Sequence, residues 1–138
     1  MRFVYIVVCC GLLGLTGRAG TPADSLSTKK REISFKTDVL SVVKKNCLPC
    51  HAEDQYNPSE LSLDTFDLMM AGGKHGVPVV PGKPAESLLL QKMYDKPPFG
   101  DRMPMDPKKK RGEMSKKKLS DEEIQVLTEW IAQGAKNN

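Results

Sequence analysis

The stretch Cys47-Leu48-Pro49-Cys50-His51 decides how the rest of the chain is read. Two cysteines separated by two residues and followed at once by histidine form C-x-x-C-H, the pattern at which a haem is attached. The spacing has a physical reason. The two thiols must reach vinyl groups on neighbouring pyrroles, and two intervening residues put both sulfurs on one side of a tight turn. A histidine directly after the second cysteine then lies under the iron. Its ring binds axially through one nitrogen while the other donates to a backbone carbonyl. Three other readings compete. A thioredoxin-like redox pair needs a βαβ context, which the surrounding pattern lacks. A zinc site needs four ligands; Cys47, Cys50, His51 and His75 are on offer, but the adjacent Cys50 and His51 match no usual spacing. A plain disulfide leaves His51 a coincidence. The motif therefore predicts Cys47 and Cys50 as the residues covalently binding one haem c, and His51 as the proximal ligand of its iron.

Upstream, the chain opens as a secretory signal. Arg2 is a minimal positive region, the apolar run 3–15 is too short to span a membrane comfortably, and Gly17-Arg18-Ala19 fits a small-x-small cleavage pattern. A signal peptide over residues 1–19, cut near 19–23, leaves only Cys47 and Cys50 and no transmembrane helix in the mature chain. Haem is attached to such motifs outside the cytoplasm, so leader and motif agree on export to the periplasm or an equivalent compartment. Residues 20–33 are polar and read as a flexible lead-in, and 34–136 as one domain, which is what 138 residues allow.

Within that domain the apolar pattern is helical. Phe35, Val39, Val42 and Val43 predict a first helix, capped by Thr37 or Asp38, that delivers the chain to Cys47. Leu61, Leu63, Phe66, Leu68, Met69 and Met70 predict a second, stopped by Gly72 and Gly73. Pro84 starts a third that runs through Met93. Ser120 and Glu123 form a capping box for the last, with Leu119 and Ile124 in the staple positions and Ile124, Leu127, Trp130 and Ile131 as its apolar stripe. No strand alternation stands out. Long loops between short helices are uncommon in a small domain unless something else organises them. Aromatic residues make up only 6%, and a macrocycle would supply apolar surface that the side chains lack.

A second iron ligand is sought among the methionines. Met69, Met70 and Met93 sit among leucines on helical stretches, where packing is the simpler role, and Met114 lies among lysines. Met103 and Met105 stand in the irregular Gly100-Asp101-Arg102-Met103-Pro104-Met105-Asp106. Pro104 stiffens this loop and biases Met103 away from helix. Met103 is the preferred distal ligand and Met105 the second choice. His75, in a glycine-flanked loop, is a further candidate whose simpler reading is an exposed histidine.

The formal charge is +4, of which Arg2 and Arg18 leave with the leader. Lys108, Lys109, Lys110, Arg111, Lys116, Lys117 and Lys118 crowd one stretch, so the remainder of the mature chain is net acidic. That excludes a general nucleic-acid surface. A basic stretch next to the ligand loop would steer an acidic redox partner; a solvated loop is the competing reading.

From Phe35 to Ala135 the chain resembles the planctomycete-type cytochrome c domains. The matching elements are the Phe-x3-Val helix before C-x-x-C-H, Leu61-Ser62-Leu63-Asp64, Gly72-Gly73, and Val80-Pro81-Gly82-Lys83-Pro84 with Glu86-Ser87-Leu88-Leu89. Arg102-Met103-Pro104 and Leu119-Ser120-Asp121-Glu122-Glu123 through Trp130-Ile131 to Gly134-Ala135 complete the set. The resemblance implies an all-α, class I cytochrome c-like fold of three to five short helices wrapped around one covalently bound haem. It implies packed N- and C-terminal helices, with His51 proximal and Met103 distal. The long basic segment Pro107 to Lys118 departs from the short link usual there. The expected function is electron transfer between redox proteins, not enzyme catalysis. The alternatives are a haem enzyme or sensor with an open sixth position, and a docking module of a larger exported redox complex.

Overall fold

A computed structural model of the chain describes residues 30–48, 50–55, 57–106, 108, 113 and 116–138. The expected leader, most of the lead-in, and Lys109, Lys110, Arg111 and Met114 lie outside them. Among the described residues there is no strand, only an isolated bridge between Gly73 and Gly76. A π-helical turn, Phe35–Val39, runs into α1, Leu40–Asn46; α2 is Phe66–Ala71, a 3-10 turn covers Pro84–Glu86, α3 is Leu88–Gln91 and α4 is Asp121–Ala132.

The first helix begins earlier than the sequence predicts. Its cap is Ser34, not Thr37 or Asp38: the Ser34 hydroxyl accepts from Thr37 N, while Ser34 N donates to the Asp38 carboxylate at 2.8 Å. Ordinary capping boxes place the acid three residues after the cap. Here it stands four residues on, and the opening turn is correspondingly wide, with Leu40 N bonded to Phe35 O. Arg31 donates to the same carboxylate at 2.9 Å, and together these bonds hold Asp38 below the usual carboxylate range.

Two further predicted helices are shorter than their apolar patterns. Leu61 and Leu63 precede α2, whose cap is Thr65, with its hydroxyl accepting from Leu68 N. Leu63 N is already committed to the carbonyl of His51 at 2.8 Å, so it cannot join a helical ladder. The third helix breaks at the fully buried Ser87. Its hydroxyl accepts from Val80 N at 2.9 Å and donates to Lys83 O at 3.0 Å, an alternative to helical pairing that serine side chains offer the backbone.

The core lies where the two ends of the domain meet. Phe35 packs on Trp130 with centroids 5.6 Å apart, and Phe66 stands edge-on to both. Such pairs add about 0.5–1.5 kcal/mol each beyond burial. Val39, Met69, Trp130 and Ile131 have no exposed surface, and the Trp130 indole donates to Lys136 O. Main-chain groups finish the seam: Ile33 N donates to the Gln133 side chain, and Phe35 N to the Asn138 side chain. The two terminal helices are thus packed together, as the resemblance implies. Met93 is buried as well and Met70 packs against the core, in the packing roles expected of them.

Two local ties set the surroundings of Cys47 and His51. The first is Glu123. Its capping box with Ser120 is complete, and the same carboxylate takes Lys45 Nζ at 2.7 Å and Asn46 Nδ2 at 3.1 Å. The N-terminus of α4 is thereby locked to the last turn of α1, immediately before Cys47. The second is Gly73. A Cβ there would lie 2.6 Å from Ser59 O and 2.8 Å from Leu61 N, so the segment 59–61 passes directly over it. Lys74 N, next in the chain, donates to Ser59 O.

Glu123 titrates below the usual carboxylate value, chiefly because Lys45 donates to it. A group depressed by folding stabilises above its unfolded pKa and loses that contribution as pH falls through its folded one. Glu123→Gln is therefore expected to cost about 1 kcal/mol at neutral pH, with wild type and variant converging in acid, as read by denaturant unfolding across pH. Gly73→Ala is expected to cost about 2 kcal/mol, because backbone rather than a flexible side chain must give way; equilibrium unfolding checks it.

Candidate functional site

After α1 the chain turns back on itself, with His51 N donating to Cys47 O at 3.1 Å. Cys47, Cys50 and His51 thus sit on a single turn. Both cysteines are free thiols. They differ in setting: Cys47 is half-buried against the core, Cys50 exposed. Burial pushes the Cys47 thiol up to about 11, with Lys117 pulling the other way. At neutral pH Cys47 is therefore a protonated thiol. Lys117 is near because its Nζ donates to Asn46 O, at the end of α1.

The His51 ring is half-buried, and its Nδ1 lies 3.0 Å from the carbonyl oxygen of Leu61. A carbonyl can only accept, so Nδ1 carries the proton, and in the neutral ring Nε2 keeps its lone pair. This is the arrangement an axial ligand needs, and it raises the basicity of the free nitrogen. The Leu61 carbonyl is itself fixed. Asn57 Nδ2 donates to it, Ser59 Oγ donates to Asn57 Oδ1, and Gly73 admits the segment from below. Nothing in the sequence marks Leu61 for this role, because the group used is its backbone. Asn57 carries only a weak signal, as a polar residue in a loop.

Met103 is half-buried, and Met105 is 43% exposed. The peptide bond between Met103 and Pro104 is cis. Met103 N donates to Lys92 O at 2.6 Å, so the loop is tied to the C-terminal end of α3. Next to it, Arg102 is buried and pairs through Nε with Asp95 at 3.4 Å; Asp95 also takes Lys118 at 3.4 Å. His75 is exposed and stacks on Phe99 with centroids 4.0 Å apart. That contact gives it a packing role that the sequence did not foretell.

The donor set fits a covalently held haem. It offers two thiols and an imidazole with a free Nε2 on one turn, and a half-buried thioether in a separate loop. A porphyrin would supply the remaining iron ligands, so no clustered set of protein donors would be required. Among the described residues no group of three or more His, Cys, Asp or Glu is arranged to hold a metal ion, which the zinc reading would need. Nor, among them, is any helix long and apolar enough to cross a membrane.

Residues 47–105 match the family model described as Planctomycete cytochrome C. The match begins at Cys47 and takes in His51, Leu61, Gly73, Lys92 and Met103. No curated protein matches the chain. Among solved structures, hydrazine synthase of Kuenenia stuttgartiensis superposes with a TM-score of 0.51 at 21% identity, over 79% of this chain and 17% of that one. At that identity the likeness concerns the fold, and this chain spans only a small part of the larger protein. With its C-x-x-C-H motif, its oriented histidine and its helical frame accounted for, the stretch 47–105 is that of a planctomycete-type cytochrome c domain, a haem c-binding module.

Proposed function

We propose that this domain is an exported, single-haem electron carrier with His51 and Met103 as axial ligands. The observation that carries it is the His51 Nδ1 to Leu61 carbonyl bond, which presents Nε2 in the tautomer and orientation an iron ligand requires. Cys47 and Cys50 would hold the haem covalently, each adding its S–H across a vinyl group. Sulfur forms the new C–S bond and hydrogen goes to the neighbouring carbon, so no oxidant is needed. Bound haem supplies a one-electron iron couple. His51 and Met103 would hold the iron in either oxidation state, so little reorganisation of the protein would accompany transfer. The Met103 thioether is a soft donor that favours the reduced metal, and the expected potential is positive.

Redox proteins in the same compartment give and take the electron. Steering of an acidic partner by the basic stretch falls to its outward groups. Lys108, Lys116, Lys117 and Lys118 are all exposed; of these, Lys117 also donates to Asn46 O and Lys118 pairs with Asp95, which leaves Lys108 and Lys116 as the pair to neutralise.

Protein made together with a haem-attachment system is expected to retain haem stain through acid extraction and to show a low-spin spectrum with the sulfur-to-iron band of the ferric state. Cys47→Ala with Cys50→Ala abolishes covalent haem. Met103→Ala abolishes the band and opens the reduced protein to carbon monoxide, while Met105→Ala leaves both unchanged. A wild type that is colourless, or five-coordinate and quick to bind carbon monoxide when reduced, would replace the carrier with one of its alternatives. For steering, Lys108→Gln with Lys116→Gln is expected to flatten the dependence of electron-transfer rate on ionic strength toward an acidic partner; an unchanged slope would rule it out.

A further inference from the structure

We propose that Lys92 is the positioning residue of the distal ligand, clamping the loop that carries Met103 through its carbonyl and its ammonium group together. This rests on Met103 as the sixth ligand.

The loop after α3 has no regular structure with which to place a sulfur atom. It contains Pro97, Pro98, Gly100 and Pro104, and its course depends on a few ties. Most converge on one residue. Lys92 O accepts from Met103 N at 2.6 Å. The side chain of Lys92 reaches the middle of the same loop, where Nζ donates to Phe99 O and lies 4.5 Å from the centre of the Phe99 ring. The ammonium passes so close to Gly100 that a Cβ there would touch it at 3.8 Å. Phe99 is also held by His75, whose ring lies 4.0 Å from it centroid to centroid. Residues 99 and 103 are thus referred to a single point at the end of α3, and α3 is seated in the core by Leu89 and Leu90.

The chemistry suits lysine. Its ammonium is partly desolvated here, and burial pulls its pKa down while Asp101 opposes the shift. A carbonyl oxygen and an aromatic face replace the lost water. The four-carbon stem gives the reach from helix end to loop that a shorter side chain lacks. Asp95 adds a second, weaker anchor through Arg102. A lysine serving only solubility would need none of these contacts.

If the clamp holds the thioether on the iron, releasing it should speed ligand exchange without unfolding the domain. The test uses the ferric holoprotein and measures the rate at which imidazole displaces the thioether, together with the sulfur-to-iron band and the thermal midpoint. Lys92→Leu is expected to raise the exchange rate about tenfold. Phe99→Leu should give a similar rise, with the double variant well short of the product of the two. Lys92→Arg, which keeps a cation able to reach the carbonyl and the ring, should restore exchange to near wild type. Lys44→Leu, on the exposed side of α1, should leave it unchanged.

Exchange at the wild-type rate in Lys92→Leu, with the band intact, overturns the proposal. So does a rise that Lys92→Arg fails to reverse, since that marks a general loss of structure. Should Lys92→Leu not load haem, Phe99→Leu decides by the same readout. Failure of the ligand assignment looks different: the wild type would then lack the band, or bind imidazole as fast as Met103→Ala, and the clamp would fall with it.

Discussion

The hydrogen bond from His51 to the Leu61 carbonyl is the constraint on which the site depends. Without it the imidazole could rotate and exchange tautomers, and Nε2 would have no fixed direction. The bond is made by a main-chain oxygen, so it is only as good as the placement of the segment 57–63. That placement draws on Asn57, on Ser59, on the return bond from Leu63 N to His51 O, and on Gly73 as the one residue type that lets Ser59 and Leu61 pass so near. A loop without regular structure is made specific by several short-range bonds that all end on it.

The helical frame gives this loop something rigid to be measured against. The Phe35–Trp130 contact joins the two ends of the domain, and Glu123 fastens the start of α4 to the end of α1. The attachment turn leaves α1 at that lock. Hence the two thiols begin from the best-anchored part of the chain, with the half-buried Cys47 packed against the core. The Met103 loop is built differently. α3 is one turn long, and it contributes an end to hold on to rather than a surface to pack against. Lys92 and Asp95 use that end to gather a proline-rich loop.

Much of this was legible in the sequence, for definite reasons. Cys47, Cys50 and His51 stood out because C-x-x-C-H is a short pattern of adjacent residue types, and the structure places the three on a single turn. The last helix was readable because Ser120, Glu123 and the 3.6-residue stripe are local signals acting on adjacent residues. The positions of Met69, Met70 and Met93 followed from their leucine-rich neighbours. Helix starts were less legible. Ser34 displaced Thr37 and Asp38 as the first cap because the opening turn is π-wound, and Ser87 broke the third helix because its hydroxyl found backbone partners in another loop.

By itself, then, the sequence determined the helical class and carried the C-x-x-C-H pattern, since each is encoded by residue type at short, fixed separations. Tertiary structure alone decided that a leucine carbonyl orients His51, that Gly73 must be bare, that Phe99 and His75 stack, and that Lys92 gathers the Met103 loop. These contacts join backbone groups and side chains far apart in the chain. Nothing in the identity of either partner specifies the other until the core has brought them within hydrogen-bonding distance.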